Sequence, residues 1–162
     1  MAMAAHPKRM RIYTLLMALL FGYSASVQLN DPDWYLWLPL YTLACLVNLP
    51  GLQASASPIK RKMGKMALLL GLLLFFKVVV GDHMKGVAGF WSFDMRERVV
   101  REKFGSGLVV ASMILHLTAS SSSSPTESEV SRFVEYEMAI LVGISYVLTF
   151  IFFVFHKADM KF

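Results

Sequence analysis

The sequence predicts an all-α integral membrane bundle of about five transmembrane helices, four being the alternative, with helices 1 and 2 as a tight hairpin. Composition is the first reason. Of the 162 residues 56% are apolar or aromatic and 17% charged, against roughly 45–50% and about 25% in ordinary soluble domains. The mean hydropathy of +0.54 agrees. Arithmetic is the second: five spans of about 18 residues would use about 90 positions, close to the whole apolar content. The placement of charge is the third. His6, Lys8, Arg9 and Arg11 precede the first apolar run, and Lys60, Arg61, Lys62 and Lys65 precede the third. A soluble enzyme with one packed core is not the leading reading, disorder is confined to short stretches, and no second domain has room outside the spans.

The domain organisation is a basic segment 1–11, one membrane domain 12–157 and a tail 158–162. The first run, Ile12 to Leu29, is about 27 Å long as a helix. A basic start followed by Ser24-Ala25-Ser26 also imitates a cleaved signal peptide. Ala18, Gly22 and Ser26, four residues apart, give a small-residue face for close approach of another membrane helix. Asn30-Asp31-Pro32-Asp33 is too short for anything but an antiparallel turn into the second run, 34–49. Trp34, Tyr35 and Trp37 suit an interfacial belt, Pro39 a kink, and Pro50-Gly51 an end.

Residues 51–65 are expected to form a basic loop. The third run covers 66–80, with Lys77 placed to snorkel. Gly81, Gly86 and Gly89 break it, and 90–104 is expected to lie on the membrane surface as an amphipathic helix. The fourth run reaches spanning length only over 101–119. Ser120 to Pro125 is a solvated linker into an acidic stretch, and 138–155 is the cleanest span. Counting Lys and Arg with the N-terminus cytoplasmic puts eight inside and seven outside. The first two loops alone favour that orientation. The composition names no organelle.

No His-Glu-x-x-His, Gly-x-Ser-x-Gly, phosphate loop or paired cysteine motif occurs. Catalytic residues, cofactor and metal are therefore all assigned as none, and an enzyme is not expected. Lone Cys45 reads as a small buried hydrophobe, and His116 as a hydrogen-bonding partner for a neighbouring helix. The polar group that stands out is Gln28, Asn30, Asp31 and Asp33. Asp31 is expected to cap helix 2, with Pro32 at its first position and Asp33 against its dipole. In a five-span chain the first and third loops share a surface. Arg101 is accordingly expected to pair with Asp31 or Asp33, with Glu102 and Gln28 completing the cluster.

Val27-Gln28-Leu29-Asn30-Asp31-Pro32-Asp33, followed by Trp37 and Tyr41, resembles the signature of the transmembrane protein 220 family. Arg101-Glu102-x-x-Gly105 is similar to its second recurring element. The resemblance runs from about Tyr13 to Phe155, with a longer basic N-terminus and a long, charged third loop as departures. It implies a small multi-pass helical membrane protein and no reaction. The expected role is a non-enzymatic scaffold, assembly or accessory subunit, with other membrane proteins meeting the Ala18/Gly22/Ser26 face. The alternative is a binder or transporter of a lipid headgroup, ion or small polar solute at the Asn/Asp/Arg/Glu cluster. The lipid bilayer is a partner on either reading; nucleic acid is not.

Overall fold

A computed structural model describes residues 6–50, 58–85, 98–121 and 127–156. The described residues form five helices: α1 His6–Gln28, α2 Trp34–Asn48, α3 Pro58–Lys85, α4 Arg98–Ser121 and α5 Glu127–His156. Four of them hold stretches long and apolar enough to cross a membrane: Lys8–Gln28, Pro58–Met84, Arg98–Ser120 and Arg132–Val154. Helix α2 has 15 residues, about 22 Å against a hydrocarbon core of about 30 Å. The short member is thus neither α1 nor α4 but the second half of the hairpin.

Helices reach further than the apolar runs. The stretch read as a basic loop becomes helical at Pro58, because proline suits a first helical position and the Lys, Arg and Met that follow are good helix formers. Residues 98–104, expected in a surface helix, are the first turns of α4; 90–97 lie outside the described residues. The acidic stretch from Glu127 belongs to α5; Ser120 and Ser121 of the serine linker close α4, and its residues 122–125 lie outside the described residues. Hydropathy marks what crosses the bilayer, whereas helix propensity decides where the hydrogen bonds start.

Packing is most extensive between α3 and α4, then between α1 and α2, and α5 closes the bundle against α4 and α1. Helix α2 sits among α1, α3 and α4. It buries Trp37, Leu40, Tyr41, Ala44, Val47 and Asn48, a stripe at three- and four-residue spacing that forms one helical face. The same core cluster holds Met17 and Phe21 of α1, Ala67, Leu74 and Val78 of α3, Val109 and Met113 of α4 and Met138 of α5. Trp37, Tyr41 and Phe21 form a run of rings with centroids 6.2 and 6.4 Å apart, within the range of favourable aromatic pairing.

The small-residue face of α1 is used within the chain. Ala18 is buried, a Cβ on Gly22 would lie 3.5 Å from Cys45 Sγ of α2, and only Ser26 is exposed. The covering helix is α2, because the tight turn returns the chain against the α1 face where backbones approach closest. Ser24-Ala25-Ser26 lie in the last turns of α1, with Ala25 in the core. Outward-facing Leu19, Leu69, Leu73, Phe76, Ile140 and Phe150 are well exposed, as a lipid-facing surface requires.

Candidate functional site

The α1–α2 turn is built from the backbone. Asp31 N–H donates to Gln28 O at 3.0 Å, and Trp34 N–H donates to Asp31 O at 3.1 Å. The helix cap is Asp33, two residues later than the sequence suggests, and its side chain makes no capping hydrogen bond. The carboxylate is engaged elsewhere. Its Oδ2 accepts from the Trp37 indole N–H at 3.2 Å, and its Oδ1 accepts from the Arg98 guanidinium at the start of α4. Lys77 Nζ of α3 lies 3.9 Å from Oδ2. A carboxylate drawn into a tertiary ion pair is not aimed at the helix N–H groups, so Asp33 holds the cap position without capping through its side chain. Partial burial works to raise the Asp33 pKa, but the indole N–H and the guanidinium outweigh it and hold the carboxyl below its ordinary value.

The cationic partner is therefore Arg98, one turn before Arg101. Its Nε also donates to Glu102 Oε1 at 2.6 Å, across one turn of α4. Arg101 places its guanidinium 5.8 Å from the centre of the Phe152 ring of α5, within cation–π range.

Arg98, Arg101, Glu102 and Phe152 line the charged end, the mouth, of a cleft of about 890 Å³, the size of a small-molecule site. Gln28, Asp31, Arg98, Arg101 and Glu102 supply its charged and amide groups. Leu20, Phe21, Leu108, Leu148 and Phe152 supply apolar walls, and Tyr41 of α2 also lines it. Its lining runs from residue 28 back to 20 on α1 and from 98 to 108 on α4, a depth of about 12–15 Å at 1.5 Å per residue. Gln28 Oε1 is buried without a hydrogen-bond partner, an arrangement that costs about 1–3 kcal/mol unless something fills it. Of the six residues singled out in sequence, Gln28, Asp31, Arg101 and Glu102 line the cleft, Asp33 anchors its rim through Arg98, and Asn30 is exposed on the turn.

The two sequence motifs touch. A Cβ on Gly105 would fall on the Tyr41 hydroxyl and lie 3.2 Å from its ring Cζ. Glycine there lets Tyr41 lie against the α4 backbone.

Residues 20–118, more than half of the chain, match the family described as transmembrane family 220, helix. The chain belongs to that family. No curated protein and no solved structure matches it significantly. The family match takes in Gln28, Asp33, Tyr41, Arg98 and Gly105 and stops before α5. It is thus shorter than the Tyr13 to Phe155 resemblance, and the α5 wall of the cleft lies outside it. The membership makes this a multi-pass membrane protein.

Three polar features escaped the sequence reading. Arg98 and Glu102 stand four apart on one helix, a spacing that signals a pair. Asn48 closes α2 by donating from Nδ2 to Ala44 O at 2.8 Å and to Ser112 Oγ at 3.1 Å. His116 Nε2 lies 2.9 Å from Asn48 Oδ1. The expected bond to a neighbouring helix is there; its partner, one asparagine in an apolar run, was not recognised. Asp82 and Lys103 form a buried ion pair of 2.9 Å between α3 and α4.

Proposed function

We propose that this protein binds an amphipathic membrane molecule in the α1–α4–α5 cleft, with its polar head among Gln28, Asp31, Arg101 and Glu102 and its apolar part against Leu108, Leu148 and Phe152. One observation carries this reading: a cleft of drug-ligand size with charged and amide groups gathered at one end and, beyond them, apolar side chains together with Ser24, Ser145 and Thr149, whose hydroxyls donate to their own helices. The small-residue face that supported scaffolding is used inside the chain at Ala18 and Gly22, which leaves small size and the lack of a catalytic motif in the sequence behind that reading. The cations of the first turns of α1 and α3, Lys8, Arg9, Arg11, Lys60, Arg61, Lys62 and Lys65, stand at the end away from the cleft mouth. With that end cytoplasmic, by the positive-inside bias, the mouth opens in the opposite leaflet.

The test is native mass spectrometry of the full chain released gently from its own membrane, compared with Thr149→Trp, which fills the cleft. Thr149 lines it and donates only to Ser145 O within α5, at 2.8 Å. A stoichiometric adduct lost in a variant of unchanged melting temperature is expected. An adduct retained in the blocked cleft, or none in the wild type, overturns the proposal.

A further inference from the structure

Provided that the cleft binds an amphipathic membrane molecule, its rim residues also constrain the head of that molecule. Two arginines and two carboxylates line the cleft, Arg98 and Arg101 against Asp31 and Glu102. A third carboxylate, Asp33, sits behind them on Arg98. The site is therefore close to neutral, with both signs presented within one head-sized region. A purely anionic head would meet three carboxylates, and a purely cationic one two guanidiniums, each a like-charge repulsion. A head carrying one charge of each sign finds partners for both. The unpartnered Gln28 Oε1 adds a directional demand, because an amide oxygen accepts and never donates, so the head must bring an N–H or O–H.

We infer that the cleft selects a zwitterionic phospholipid whose head carries a primary ammonium, the phosphoethanolamine class. The ammonium has three N–H donors. One reaches Gln28 Oε1, while the others face Asp31 and Glu102. The phosphate lies toward Arg101, whose planar fork of five donors can hold it alongside its ring contact with Phe152. The apolar walls below belong to the acyl chains, which is why the assignment is a lipid and not the free head. A trimethylated head has the same charges but no N–H, and it would leave Gln28 Oε1 orphaned.

The experiment offers the purified full chain an equimolar mixture of dioleoyl phosphatidylethanolamine, phosphatidylcholine and phosphatidylglycerol in nanodiscs, and reads bound lipid by native mass spectrometry. Phosphatidylethanolamine is expected to be enriched about five- to tenfold over phosphatidylcholine, the worth of one added hydrogen bond in a buried site. Gln28→Leu should remove that preference while still holding lipid. Gln28→Glu, which keeps an acceptor, should retain it and guards against misfolding of the leucine variant. Glycerophosphoethanolamine, which lacks chains, should not compete. Equal binding of the ethanolamine and choline lipids overturns this inference and leaves the cleft reading standing. A preference for phosphatidylglycerol, or competition by the chainless head, also overturns it. No lipid in the wild-type cleft removes the underlying reading itself.

Discussion

Replacing Gly105 by alanine tests the contact that joins the two family motifs. The new methyl would fall on the Tyr41 hydroxyl, with ring Cζ 3.2 Å and Cε1 3.6 Å away. Tyr41 cannot simply swing aside, since its ring is flanked by Phe21 and Trp37. Alanine also gains about 1 kcal/mol of helix propensity over glycine, which masks part of the clash. Gly107 supplies the reference, because a Cβ there meets only Phe75 Cε2, at an ordinary 3.8 Å. Overpacking costs about 1–3 kcal/mol, so Gly105→Ala should be that much less stable than Gly107→Ala. At about 2–4 °C per kcal/mol for a chain of this size, the gap is several degrees. A thiol-reactive dye that reports Cys45, the sole cysteine, follows unfolding in detergent. Tyr41→Phe in the Gly105→Ala background should close most of the gap, because only the ring contacts, Cζ at 3.2 Å and Cε1 at 3.6 Å, remain. Equal melting of the two alanine variants, or no recovery with phenylalanine, would refute the reasoning.

Other contacts give equally direct expectations. The Asp33 carboxyl is held below its ordinary value of 3.8, so its ion pair stabilises the fold at neutral pH. That contribution is lost as pH falls from about 3.8 through the folded-state value; a melting-temperature titration should show the acid-side loss in the wild type and a smaller one in Asp33→Asn. Asn48→Ala should destabilise the bundle, and a double-mutant cycle with His116→Ala should return a coupling of about 0.6–1.7 kcal/mol, the range of such bonds in membranes. Additive losses would mean that the two side chains do not bond. In the buried Asp82–Lys103 pair, Lys103→Met alone should cost about 3–5 kcal/mol and more than the double variant with Asp82→Leu, since one buried charge is worse than none. Thermal melts of the wild type and the two variants decide it.

The architecture was legible because membrane helices write their length and apolarity directly into the chain. The hairpin followed from four polar residues between two apolar runs, and the shared surface of the first turn and the start of α4 followed from alternating direction. What could not be read was which side chain completes each contact. Arg98 and Arg101 are three residues apart on one helix, and rotation of α4 against the turn decides which meets Asp33. That rotation depends on Tyr41 seating against Gly105, a fit of shapes with no periodic signal. Local rules allow either aspartate at the cap, and a partner 65 residues away takes the Asp33 carboxylate, which leaves the cap without a side-chain bond. The cleft was invisible because α5, one of its walls, is brought in by packing alone. The shortness of α2 was legible in the run 34–49, one residue longer than the helix, but its apolarity made it count as a span.

Lipid binding in the cleft is open to photo-crosslinking of the full chain in native membranes with a diazirine-bearing phospholipid, followed by mapping of the labelled peptides. Saturable labelling is expected, concentrated on 20–28 of α1, 98–108 of α4 and 145–153 of α5, and abolished by Thr149→Trp. Labelling spread over outward residues such as Leu69, Phe76 and Ile140, unsaturable and indifferent to that substitution, would contradict a bound lipid in the cleft.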